Sequence, residues 1–156
     1  MKKTTIVEII SALLLFLFLY AALSKLLDFD KFRYQISQSP FITRISRFVV
    51  WAIPISEILI SVALFFRRTR SAGLYSAFFL MLLFTGYIFI MLRYSPYLPC
   101  SCGGVLSVMS WKQHFVFNLL FTGLSLSGIV IQNTNLGKNH SKNALTGMKL
   151  NTWIKK

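Results

Sequence analysis

Charge is scarce in this chain. Only 13% of its 156 residues are charged, against 55% hydrophobic, and just four are Asp or Glu. A soluble domain of this size needs far more polar surface, so the composition excludes one and specifies a membrane protein. Cysteine is scarcer still, with two copies, Cys100 and Cys102. A chain with two cysteines has no second thiol pair through which electrons could be relayed. No ten-residue alternation of the kind that builds a transmembrane barrel is present, and no internal repeat.

What is present is a set of long apolar runs. They cover about 6–27, 48–66, 72–92 and 111–131, each long enough to cross about 30 Å of hydrocarbon as a helix. Because lipid cannot satisfy backbone amides, each run is far better helical than extended. The expectation is an all-α integral membrane four-helix bundle over 1–131, with a basic, polar tail from 132 to 156 that lacks an apolar period and reads as disordered or loosely surface-bound. The first run is too long for the apolar region of a secretory signal, about 7–15 residues, and reads as an uncleaved helix.

The net charge of +13 does not point to nucleic acid, because the basic residues fall at segment ends and in the tail. Lys2, Lys3, Arg67, Arg68, Arg70 and five tail lysines (138, 142, 149, 155, 156) share one side; Lys25, Lys31, Arg33, Arg44, Arg47, Arg93 and Lys112 share the other. Ten against seven predicts both termini in the cytoplasm of a bacterium, in a multi-pass inner-membrane protein. Tyr20, Trp51, Tyr94, Tyr97 and Trp111 then fall near the outer interface, where an aromatic belt belongs. The 28–47 loop, with Ser39-Pro40, reads as a short amphipathic or irregular segment on that outer surface.

The cysteines lie in Pro99-Cys100-Ser101-Cys102-Gly103-Gly104, a short polar loop on the outer side, where disulfides persist. Closing a ring around one residue forces tight geometry, and strain makes a disulfide labile. Such a pair suits exchange better than stapling. Gly103 and Gly104 remove bulk beside the sulfurs and leave room for a partner thiol. A structural or incidental pair is the bland alternative, and two thiolates with Met109 or His114 could instead hold Cu(I).

Glu57, deep in the second run, is a functional candidate because an intramembrane carboxyl is costly unless paired or protonated. Lys25 is the nearest cation by sequence logic; a protonated Glu57 bonded to serine or backbone is the alternative. Pro54, one turn earlier, frees a carbonyl and could open a polar pocket, although packing alone would also explain it. Ser110 and Gln113 have capping-box spacing, which starts the fourth helix at Trp111. His114 and Asn118 then share one face. His114 could act as a base for Cys100 or Cys102, or serve only as an interfacial hydrogen-bonding group. The fifteen phenylalanines could form a stacked quinone site, but lipid contact and packing explain nearly all of them, and no cofactor motif is evident.

The residues Pro99 to Gly104, with Ser110-Trp111, His114 and Asn118, resemble the MauE branch of the DoxX-like membrane proteins. So do Leu23-Ser24-Lys25-Leu26-Leu27-Asp28-Phe29 and Trp51-Ala52-Ile53-Pro54-Ile55-Ser56-Glu57, and the resemblance covers roughly residues 6–131. It implies a four-helix protein in periplasmic redox work, similar to that supporting methylamine dehydrogenase maturation, with a thioredoxin-like or disulfide-rich partner. The bundle also resembles that of vitamin K epoxide reductase, but the Cys-x-x-Cys pair and the relay pair of that enzyme are absent. The sequence therefore favours a thiol-disulfide exchanging accessory protein, possible as an oxidoreductase. The alternatives are a non-catalytic scaffold of a maturation complex and, less favoured, a Cu(I)-handling protein.

Overall fold

The computed structural model describes residues 3–37, 43–94 and 110–154. Five helices account for nearly all of them: α1 (Lys3–Leu27), α2 (Phe29–Ser37), α3 (Ser46–Phe65), α4 (Arg70–Tyr94) and α5 (Trp111–Ile154), with a 3₁₀ turn at Thr43–Ile45 before α3. No strand occurs among the described residues. Four stretches are long and apolar enough to cross a membrane, Thr4–Leu27, Ser46–Phe65, Arg70–Tyr94 and Lys112–Thr134. The all-α membrane bundle expected from the sequence is the fold observed.

The four long helices form a ring in which α1 packs on α3 and α5, and α4 packs on the same two neighbours. An apolar core drawn from all four, including Leu14, Leu64, Leu74 and Ile129, fills one end of the bundle and reaches a cavity at Phe18 and Met81. Large apolar residues such as Phe16, Phe48, Phe79 and Leu120 are exposed, as a surface solvated by lipid tails requires.

The α3–α4 connection shows why that end closes tightly. The Thr69 hydroxyl donates to the Ala63 carbonyl at 2.9 Å, satisfying an acceptor that the end of α3 leaves open, and the Gly73 amide donates to the Thr69 carbonyl at 2.9 Å as α4 begins. A Cβ on Gly73 would lie 2.9 Å from the Leu64 backbone nitrogen. Only glycine permits this approach of α3 and α4.

At the other end, α1 stops at Leu27 and the chain re-enters a helix at Phe29, with the Phe32 amide bonded to the Asp28 carbonyl at 3.0 Å. The 28–47 loop thus contributes a nine-residue helix that turns Phe32 inward and leaves Tyr34 exposed. Ser39 and Pro40 lie outside the described residues. The capping box is present: the Ser110 amide donates to Gln113 Oε1 at 2.9 Å, and the Gln113 amide to Ser110 Oγ at 3.4 Å. The backbone of α5 does not stop near Ile131 but stays helical to Ile154. Low apolar periodicity removes the reason for a segment to pack; it does not by itself break a helix, and no proline interrupts this one.

Candidate functional site: a cavity beside a buried ion pair

α1 presents Leu14, Phe18, Ala21 and Lys25 to the bundle interior at three- and four-residue spacing. The spacing that buries the first three also buries Lys25, which is 6% exposed. On α3, Val50, Pro54, Glu57, Ser61 and Leu64 form the matching stripe, and Glu57 is fully buried. The two charges meet: Lys25 Nζ donates to Glu57 Oε1 at 2.8 Å and to the Ala21 carbonyl at 3.2 Å. The pair forms because α1 and α3 pack directly on one another.

The surroundings make this pair consequential. Taking two charges out of water costs several kcal/mol each, offset only by close contact and additional hydrogen bonds. Lys25 meets that requirement in part and lies 6.0 Å from the centroid of the Phe32 ring. Glu57 does not, because its Oε2 is buried with no hydrogen-bond partner. A buried acceptor left open in this way is uncommon and calls for a donor.

A cavity of about 270 Å³ adjoins the pair. Every helix contributes to its wall: Lys25 from α1, Phe32 from α2, Glu57 from α3, Tyr87 from α4, and His114 and Asn118 from α5. His114 and Asn118, placed on one face by the sequence, are both buried and both line it. Asn118 Nδ2 also donates to the His114 carbonyl at 3.1 Å. Pro54 is buried within a continuous α3, and its neighbour Ile53 reaches the cavity wall. A cavity does lie beside Glu57, but its wall is mostly apolar, with Lys25, Glu57, His114 and Asn118 as its polar members, and it is bounded by five helices rather than by a break in α3.

Sequence reasoning missed the rest of the polar seam. Thr122 and Ser125 continue the His114–Asn118 face inward and are buried, with Thr122 Oγ1 3.4 Å from Thr85 Oγ1 of α4. The signal was available, since His114, Asn118, Thr122 and Ser125 follow one another at intervals of four, four and three. Most of these hydroxyls bond carbonyls of their own helix, as Thr122 does to Asn118 at 2.7 Å, which satisfies them without a partner helix.

Cys100, Cys102, Gly103, Gly104 and Met109 lie outside the described residues. The segment that carries them runs from the end of α4 at Tyr94 to Ser110, and the His114 amide bonds the Ser110 carbonyl at 2.9 Å. The cavity thus reaches within one helical turn of the point where that segment joins α5. Among the described residues no cluster of three or more His, Cys, Asp or Glu is present.

Four apolar helices around a buried ion pair and a partly polar cavity define a multi-pass membrane protein with an internal site. The chain matches the family described as methylamine utilisation protein MauE over residues 3–131, and it belongs to that family. The stretches 23–29 and 51–57, on which the resemblance rests, are those that supply Lys25 and Glu57. Comparison with curated proteins and with solved structures gives no match.

Proposed function

We propose that this protein is a bacterial inner-membrane redox accessory protein, with both termini cytoplasmic. On this reading Cys100 and Cys102 cycle between dithiol and disulfide on the periplasmic face during maturation of a secreted protein. The methylamine utilisation description of the family supports the setting. The observation that supports the reading is that α5 begins at Trp111, after the stretch of sequence bearing the cysteines, and carries His114 in its first turn, where it lines the cavity.

In the exchange, a thiolate of the partner attacks the Cys100–Cys102 disulfide, giving a mixed disulfide and releasing one cysteine as thiolate. The partner's second thiolate then attacks the mixed bond, and the partner leaves oxidised by two electrons while Cys100 and Cys102 are left as a dithiol. His114 is the group offered to accept and return the thiol proton. With no second cysteine pair, reoxidation requires another protein or a bound acceptor. The partner is a thioredoxin-like or disulfide-rich periplasmic protein.

Thiol trapping in cells tests this directly. The pair is expected at least partly oxidised on non-reducing gels after alkylation, and Cys100→Ser should accumulate a mixed disulfide through Cys102. Two permanently reduced cysteines, with full maturation activity in the Cys100→Ser, Cys102→Ser double variant, would replace exchange by a scaffolding role.

A further inference from the structure

We propose that the cavity beneath α2 binds a neutral, membrane-soluble ring compound bearing a hydroxyl, of the phenol or hydroquinone class. The hydrogen-bond inventory selects the head group. Of the three Lys25 N–H donors, one goes to Glu57 Oε1 and one to the Ala21 carbonyl, while Glu57 Oε2 is buried and unpartnered. A hydroxyl serves both needs at once, accepting from Lys25 and donating to Oε2. A ketone or an ether supplies only the acceptor.

Charge and shape narrow the class further. The Lys25–Glu57 pair carries no net charge, so an anionic or cationic head would enter the bundle uncompensated. Phe18, Phe32, Phe84, Tyr87 and Phe117 supply aromatic walls, which suit a flat ring in offset or edge contact. The volume of about 270 Å³ exceeds the roughly 150 Å³ known to admit benzene, leaving room for ring substituents. His114 and Asn118 offer polar contacts for a second oxygen. Leu83 both lines the cavity and is 52% exposed, so the site opens toward the lipid-facing surface and its ligand arrives from the membrane.

Calorimetry on the full chain in lipid nanodiscs tests the site with two probes, 2-decyl-1,4-dihydroxybenzene and its dimethyl ether, which share a skeleton but not the hydroxyl hydrogens. The diol should bind at least tenfold tighter than the ether. Lys25→Met, Glu57→Met should abolish that preference, with helicity by circular dichroism as the control. Ala21→Met, which fills the cavity and leaves the pair in place, should weaken the diol at least tenfold. Cys100→Ser, Cys102→Ser should bind the diol as the native chain does, so the cavity and the thiol reading fail independently. Equal affinity for diol and ether in the native chain, or undiminished diol binding in Ala21→Met, would overturn the proposal and leave water as the donor to Oε2.

Discussion

Among the described residues two ion-pair sites lie near opposite ends of the bundle, and they obey different physics. Near one end Lys25 and Glu57 meet at 2.8 Å with side chains 7% and 1% exposed. Near the other, Glu8 accepts from Arg67 at 3.0 Å and lies 3.7 Å from Arg70, with Arg67 almost fully exposed. The Glu8 site adjoins an apolar core, a tight turn and polar side-chain contacts such as Gln132 Nε2 to Ser71 Oγ at 2.6 Å. The Lys25 site adjoins a cavity; buried polar atoms without a hydrogen-bond partner occur at both ends, Glu57 Oε2 at this one and Arg70 Nε and Gln132 Oε1 at the other, so the contrast lies in the cavity and in the burial of both charges. The comparison separates charges that fasten a bundle end from charges held inside it at a cost. A group retained at such a cost is a stronger functional candidate.

Single and paired substitutions at the buried site give the largest expected contrast. Lys25→Ala strands the Glu57 carboxylate in an apolar interior and should destabilise the protein by about 3–5 kcal/mol, whereas Lys25→Met, Glu57→Met should unfold near the native midpoint. Denaturant unfolding in detergent, followed by circular dichroism, measures both. A double variant as unstable as the single would mean that the pair is needed for folding, which would erase the distinction between the two ends.

Gly73→Ala comes next. Its Cβ would meet the backbone of α3, which cannot swing aside as a long side chain can, so a loss of about 1–3 kcal/mol is expected in the same measurement. Gly86→Ala is the control, since a Cβ there has open space, and it should be neutral or slightly stabilising. Similar losses at both positions would remove the close α3–α4 approach as the cause.

Ser110→Ala removes the Ser110 Oγ half of the reciprocal cap of α5, leaving the Ser110 amide to Gln113 Oε1 bond, and should cost about 1 kcal/mol. Hydrogen exchange should report the loss as fraying of the first turn, at the His114 amide. The smallest effect belongs to the exposed pair: Glu8→Gln should change stability by less than about 1 kcal/mol, and raising salt from 0.05 to 0.5 M should abolish the difference. A salt-insensitive loss of several kcal/mol at Glu8 would make the two ends alike.

Much of this was legible beforehand in particular residues. Glu57 stood out because a lone carboxyl in an apolar run has few inexpensive environments, and Ser110 with Gln113 marked the start of α5 through local spacing alone. Lys25 was harder, since position near a helix end fits snorkelling to the interface as well as pairing inward. Thr85, Thr122 and Ser125 were passed over because hydroxyls in membrane helices satisfy themselves on their own backbone. Phe32 had no readable role until α2 folded it over the cavity.

The sequence by itself determined the class of protein and its four membrane-spanning helices, because lipid leaves a long apolar run one satisfactory backbone conformation. It also determined which side chains share a helix face, because that follows from 3.6 residues per turn. Only the tertiary structure decided that Lys25, Glu57, His114 and Asn118 face one cavity. Their juxtaposition depends on the ring order and rotation of the helices, and both are set by contacts between residues far apart in the chain, such as Gly73 against Leu64 and Lys25 against Glu57.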